Sequence, residues 1–410
     1  MNNLTSIYQE FGPDFCLCPF LGAFYQTNQV TDNSIAVNTI VPCSLTQHNN
    51  NEFSVVNNSI LESINQPIWR QIRQQFVQGQ FHSIPSCATC HRTEAQGGHS
   101  ARLGANQHFV EHSTSDIISL VQQIIDNDYV TNRLLSIDWF PSNYCNLKCI
   151  MCAGGASSAR MTWEIQTNGI TKQVVLNAPD QDFYNILKDI EIINFTGGET
   201  LMQPQVHQML EYLVDNNLAQ NKTIFMLTNA TTYPEKLMSL FEHFKQVVYM
   251  CSLDGVGSVL EYQRRGARWS DVSANSLKLF RHPRIATVGN LVLTAVNAPG
   301  IRDFVQWVYD NGIYNGIAVS PVFRSEYLDV SVMPDNLRTQ TITELEQMTF
   351  DHSAVGDNCR NIVSSVLDIL NNAQHDPVKY QEFCQRIKLE DADSMVPLAQ
   401  AVPKWALYLS

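Results

Sequence analysis

The chain has 410 residues, 44% hydrophobic and 16% charged, so it holds material for a substantial core and is not disordered throughout. Its 39 acidic against 26 basic residues leave a net charge of −13 without a basic stripe, which excludes a tracker of nucleic-acid phosphates. No apolar run approaches the roughly 20 residues of a membrane span, and residues 1–10 lack the regions of a secretory signal, so a cytoplasmic protein with reduced thiols is expected.

Eleven cysteines in a reducing compartment point to metal rather than disulfides, and an odd total leaves at least one over. Cys16, Cys18, Cys43, Cys87 and Cys90 come first. The Asn-rich stretch Thr46–Asn58 reads as a loop. Ile60, Ile64, Ile68, Ile72 and Phe76 recur at helical spacing and predict a helix over Ser59–Gly79, stopped by Gly79 and kinked or split by Pro67. A second helix is expected near Thr114–Asp128, linking the two halves. From there six apolar runs, Leu134–Phe140, Ile190–Thr196, Thr223–Thr228, Gln246–Leu253, Ala286–Thr294 and Gly316–Phe323, alternate with amphipathic stretches. This is a βα repeat, hence a parallel sheet, open or closed into a barrel, with functional groups at the C-terminal strand ends. Asp335–Met348, Asn358–Asn372 and Pro377–Ile387 read as helices.

Cys145, Cys149 and Cys152 have the spacing C-x3-C-x2-C directly after the first of these runs. Three thiolates so placed suit an iron–sulfur cluster or zinc. Three ligands on a [4Fe–4S] cube leave one iron open, whereas zinc would want a fourth protein ligand, and none lies nearby. Buried core thiols rarely show such spacing. Further motifs close successive runs: Gly197-Gly198-Glu199 the second, Thr228-Asn229 the third, Cys251-Ser252-Leu253-Asp254-Gly255 the fourth, and Thr294 with Asn297 the fifth. Arg264 follows Asp254 by ten residues. Each alone would usually mark a turn; in series behind the cysteines they carry weight.

This series resembles the radical S-adenosylmethionine superfamily over about Leu134–Phe323. The resemblance implies a partial (β/α)6 TIM-like barrel, a [4Fe–4S] cluster on Cys145, Cys149 and Cys152, and S-adenosylmethionine at its open iron. Glu199 would pair with the methionyl ammonium, the glycines would let the backbone approach the ligand, and Arg264 would meet the methionyl carboxylate. Thr228, Asn229 and Ser252 would complete the clamp, with Asp254 in the Ser252 segment and Thr294 and Asn297 at the level of the adenosyl group. Met151 stands where many members carry an aromatic residue.

Cys16-x-x-Pro19-Phe20, Val41-Pro42-Cys43, Trp69-Arg70 with Arg73, and Cys87-x-x-Cys90 resemble a twitch/SPASM auxiliary-cluster module, here placed before the radical domain. The resemblance implies a second iron–sulfur cluster on Cys16, Cys43, Cys87 and Cys90, with Cys16 preferred to Cys18 for its distance from the proline. Structural zinc on the same four thiols fits the spacing nearly as well. Cys87-x-x-Cys90-His91 also spells a c-type haem attachment, which would require an export signal.

Cys251 alternates with Ser252, so on a strand it faces the core. Cys359 and Cys384 read either as small buried hydrophobes or as a hydrogen-atom donor. Together the pieces are similar to proteusin-type peptide epimerases. That similarity implies L-to-D epimerisation of a ribosomally made precursor peptide, with Cys384 as donor, Cys359 as runner-up, and electrons from a flavodoxin or ferredoxin. A cross-linking maturase and a cysteine-rich zinc or electron-transfer protein are the alternatives. The expected domains are residues 1–110 (auxiliary module), 111–330 (barrel) and 331–410 (helical tail).

Overall fold

A computed structural model describes residues 3–31, 38–46, 53–95, 98–168, 173–176, 178–180, 182–322 and 325–409. Residues 47–52 of the expected Thr46–Asn58 loop and the end of the run at Phe323 lie outside these. Among the described residues the strands are β1 Gly22–Gln26, β2 Asn28–Thr31, β3 Thr39–Val41, β4 Ser136–Phe140, β5 Gln173–Leu176, β6 Ile192–Phe195, β7 Thr223–Thr228, β8 Gln246–Ser252, β9 Ile285–Leu293 and β10 Ile317–Pro321.

One eight-stranded sheet runs β10-β9-β8-β7-β6-β4-β1-β3, and β2 pairs with β5 apart from it. The six apolar runs are the six parallel strands β4 and β6 to β10. Strand β1 adds in parallel to β4, and β3 pairs antiparallel to β1, so the N-terminal cysteine-rich stretch shares the sheet. Neither β1 nor β3 is legible as a strand: one has five residues and the other three, too short for an alternating pattern to declare itself.

Side chains alternate across the sheet. Ile137, Trp139, Ile193, Phe195, Ile224, Val247, Tyr249 and Cys251 are buried on the outer face beneath the helices. Asp138, Asn194, Phe225, Leu227, Val248, Met250 and Val288 instead line a single cavity of about 640 Å³. A sheet with side chains from β4 and β6 to β9 on one cavity must curl around it, and because its end strands β10 and β3 do not pair with each other it is a partial barrel.

The helices read from the sequence are present. The expected Ser59–Gly79 helix divides at Pro67, into Ile60–Ser63 and Pro67–Val77. Proline occupies the first turn, where its missing N–H costs nothing. Gly79 takes φ +67° just past its end. Ile117–Asp126 links the halves, and the tail forms Asp335–Glu346, Ala354–Asn372 and Pro377–Ala392. No helix among the described residues is long and apolar enough to cross a membrane.

Candidate functional site

The cysteine loop leaves the C-terminal end of β4 and is clamped from two sides. Gly198 N donates to Ser142 O at 3.0 Å, and Glu199 N donates to Tyr144 O at 2.8 Å. A Cβ on Gly198 would lie 2.1 Å from Tyr144 O, and one on Gly197 (φ +107°) 2.5 Å from Ser142 O. The two glycines therefore serve the approach of the chain's own cysteine loop, where sequence suggested the approach of a ligand. From the other side Lys148 N donates to Arg265 O and Ile150 N to Gln263 O, both at 3.0 Å. Tyr327 Oη donates to Ile150 O at 2.9 Å.

All eleven cysteines are free thiols. Burial pushes Cys149 up to about 12 and Cys152 up to about 11, with Arg264 acting against both, so as thiols they stay protonated. Among the described residues no three His, Cys, Asp or Glu side chains already converge on one metal position. The donor chemistry nonetheless fits a cluster. Three unbridged thiols share one loop, Cys149 and Cys152 each feel Cys145, and Leu147 N donates to Cys145 Sγ at 3.5 Å.

Around the loop stand the strand-end residues. Glu199 is 2% exposed. Its carboxylate accepts from Thr228 Oγ1 at 2.8 Å, Asn229 N at 2.6 Å and Leu201 N at 3.2 Å. Burial raises its pKa despite these donors. Asn229 Nδ2 reaches Asn146 of the cysteine loop at 3.0 Å. Arg264 Nε lies 2.7 Å from Asp254 Oδ2; burial works against its charge, but Asp254 together with Cys149 and Cys152 more than offsets burial, so the guanidinium stays charged. Ser252 closes β8, half-buried on the inner face.

Thr294 and Asn297 do not face open space. Both are fully buried. Thr294 Oγ1 donates to Gln263 Oε1 at 2.7 Å, while Asn297 Nδ2 donates to Asp254 O at 2.7 Å and Val292 O at 2.9 Å. Asp254 Oδ1 in turn accepts from Val292 N at 2.8 Å. The polar groups of Thr294 and Asn297 thus join the ends of β8 and β9.

The cavity begins just below these motifs: Thr196, Leu227 and Met250 on its wall precede Gly197, Thr228 and Ser252 by one or two residues. Its other wall carries Cys16, Cys18, Cys43, Cys87 and Cys90. Polar side chains that sequence reasoning missed assemble this thiol group. Asn106 brackets Cys16, accepting from Leu17 N at 2.9 Å and donating to Phe15 O at 2.8 Å. Arg102 donates to Pro13 O and Phe15 O and pairs with Glu94 at 2.6 Å, tying this segment to the Cys90 helix Ala88–Ala95. Arg73, part of the motif read beside Trp69, donates to Pro19 O at 2.6 Å. His108 closes the cavity with its ring 4.4 Å from Phe225, and burial pushes its pKa down to about 4.

Asp138 is the acid on the strand wall of the cavity. One oxygen accepts from Asn194 Nδ2, and the other has no hydrogen-bond partner among the described residues. Burial pushes its carboxyl up to about 6. No motif marks it; its inward position on β4 was the available signal.

Of the spare thiols, Cys18 lines the cavity. Cys251 is buried behind β8, its sulfur 3.4 Å from Ser276 Oγ. Cys359 is fully buried with its sulfur 3.8 Å from Val305 O, and Cys384 lies on the tail helix next to Tyr380. Neither of the last two is on the cavity wall.

Residues 139–308 match the model of the Radical SAM superfamily. A sequence search of curated proteins finds no match. Among solved structures the chain is similar to Streptococcus suis SuiB bound to the precursor peptide SuiA, at 15% identity and TM-score 0.39, over 76% of this chain and 67% of that one. It is also similar to native anSMEcpe with bound AdoMet, at 16% identity and TM-score 0.40, over 52% of this chain and 59% of that one.

Proposed function

The chain carries a radical S-adenosylmethionine domain over residues 139–308, and from that premise we propose that it takes a hydrogen atom from a peptide held in the interior cavity, epimerising an L-residue to D. Domains of this family work with a [4Fe–4S] cluster and S-adenosylmethionine, and what the pair supplies when bound is hydrogen abstraction by a 5′-deoxyadenosyl radical.

In this reading Cys145, Cys149 and Cys152 hold the cluster. Glu199 receives the methionyl ammonium and Arg264 the methionyl carboxylate, with Thr228, Asn229 and Ser252 beside them. Gly197 and Gly198 keep the clamp against the cysteine loop, and Asp254, Thr294 and Asn297 brace it from behind. Cys16, Cys43, Cys87 and Cys90 hold a second iron–sulfur cluster. Residues 1–110 form the auxiliary module, 111–330 the barrel and 331–410 the tail, and a flavodoxin or ferredoxin delivers electrons.

The observation that carries the reading is the cavity itself. About 640 Å³ of mainly apolar space separates the strand-end motifs from the N-terminal thiols, enough for a side chain and its backbone. Because Cys18 stands on its wall, the returned hydrogen comes from Cys18 in place of Cys384 or Cys359. The Cys18 thiol gives a hydrogen atom to the substrate carbon radical, and the resulting thiyl radical takes one electron and one proton from the external donor and solvent. Incubation with candidate peptides in deuterated water tests this by mass spectrometry. Deuterium at α-carbons is expected, and Cys18→Ala should still form 5′-deoxyadenosine while yielding no D-residue. Undiminished D-residue from that variant would remove Cys18 from the reaction.

Asp138 favours a second reading, oxidative cross-linking. Loss of two hydrogens needs a proton acceptor as well as an electron acceptor, and the unengaged Asp138 oxygen is placed to take the proton. A product lighter by two hydrogens, without α-deuterium, would select it.

A further inference from the structure

Helix Pro377–Ala392 ends on Glu390 and Asp391, with Asp393 as its C-cap. Carboxylates at a helix C-terminus oppose the helix dipole, so their placement has to be offset by nearby cations. Glu390, 2% exposed, receives a fork from Arg160: Nη2 donates to Oε1 at 2.7 Å and Nη1 to Oε2 at 3.2 Å. Arg265 Nη1 lies 3.0 Å from Glu390 Oε2. Among the described residues its buried guanidinium forms no hydrogen bond of good geometry, so that attraction is Coulombic. Asp393 Oδ2 is 2.5 Å from Lys148 Nζ and 3.6 Å from Arg265 Nη1. Asp391 Oδ1 accepts from Tyr262 Oη at 2.7 Å, fixing the helix end.

Every cation in this group belongs to the cysteine loop or touches it. Lys148 stands between Cys145 and Cys149. The Arg265 carbonyl accepts from Lys148 N. Arg160 lies on helix Ser158–Asn168, which follows the loop, and with Cys152 it lines a surface groove that also takes in Glu382 and Arg386 of the tail helix. Two buried guanidiniums thus share one buried carboxylate, Glu164 Oε1 lies 3.6 Å from Arg160 Nε, and Lys148 faces Asp393, so cations and carboxylates balance behind the loop and removing either sign unbalances it.

We propose that Glu390 is a positioning residue for the cysteine loop and, as the counter-ion of Arg160 and Arg265, sets the reduction potential of the centre held there; this rests on Cys145, Cys149 and Cys152 being its ligands. The sign follows from electrostatics. Reduction adds an electron, so extra positive charge nearby favours the reduced state and less positive charge disfavours it.

The test is a potentiometric titration, followed by electron paramagnetic resonance, of the full chain reconstituted without oxygen, using the signal that changes on adding S-adenosylmethionine. Glu390→Gln, with iron content retained, should raise the midpoint potential, and Arg265→Gln should lower it. Shifts of the same sign, or no shift in either variant, would overturn the proposal, because a merely loosened loop would move both alike. Should Glu390→Gln fail to fold, Asp393→Asn at the more exposed pair should give a smaller upward shift, and no shift there would count against the proposal. The underlying ligand assignment is read separately: Cys149→Ala that keeps its full iron would overturn that assignment whatever the potentials show.

Discussion

Cys145, Cys149 and Cys152 sit on one loop within eight residues, whereas Cys16, Cys18, Cys43, Cys87 and Cys90 come from separated stretches of the first ninety positions. The central loop carries its thiols by local spacing and borrows its shape, from Gly198 and Glu199 on one side and from Gln263 and Arg265 on the other. The N-terminal group lacks a common loop. Its segments are joined by Arg102, Asn106 and Arg73, which donate to backbone carbonyls. One group is a motif that the fold supports, and the other is an assembly that buried polar side chains create. The N-terminal thiols line the cavity, and the strand ends that close it carry the motifs around the central loop, so disturbing one group while watching the other separates their roles.

The largest effect is expected from Cys149→Ala. It should abolish formation of 5′-deoxyadenosine and remove the iron of the central loop, leaving in place the iron proposed for the N-terminal thiols, as measured by product chromatography and iron quantitation. If both shares of iron fall together, the two groups are not independent.

Arg102→Gln addresses the other group. Removing one partner of a mostly buried ion pair costs about 3–5 kcal/mol, less here because Glu94 is partly exposed. The variant should lose the N-terminal share of iron and melt at lower temperature while retaining 5′-deoxyadenosine formation. Full iron in a stable Arg102→Gln protein would mean that the thiols assemble without this cation.

Gly198→Ala strikes the support of the central loop. With a Cβ 2.1 Å from Tyr144 O, something must move, and overpacking of this kind costs about 1–3 kcal/mol. Thermal melts should show the loss, and S-adenosylmethionine binding should weaken because Glu199 shifts with its neighbour. An unchanged melt would show that the loop yields freely.

The smallest effect concerns Asp138 on the wall between the two groups. Burial holds its folded pKa near 6, above the roughly 3.9 of an unfolded aspartate. The stability it contributes is therefore complete below about pH 4 and is lost as pH rises through about 6. Asp138→Asn should flatten the stability profile across that window and gain relative to the parent at neutral pH. Parallel profiles for the two proteins would place the titration elsewhere.

Legibility followed the range of the interaction. The six parallel strands showed as apolar runs because each buries one or both faces, and the Pro67 break showed because proline acts on its own turn. Helix Ala101–His112 did not show, for a physical reason: its buried positions include Arg102 and Asn106, so hydrophobic periodicity points nowhere. Glu390 was equally hidden. In sequence it resembles Glu382 on the same helix, yet one is buried against two arginines and the other lies on the surface.

By itself the sequence determined the three-thiol loop, the order of strand-end motifs behind it and the βα repeat that presents them, because those signals are spacings of a few residues or the periods of single elements. Tertiary structure alone decided that the glycines serve the chain's own loop, that Thr294 and Asn297 are enclosed, and that Cys18 rather than Cys384 reaches the cavity. It also placed Glu390 on Arg160 across 230 residues. Such contacts depend on which faces meet after the sheet has curled, and nothing in local spacing encodes that meeting.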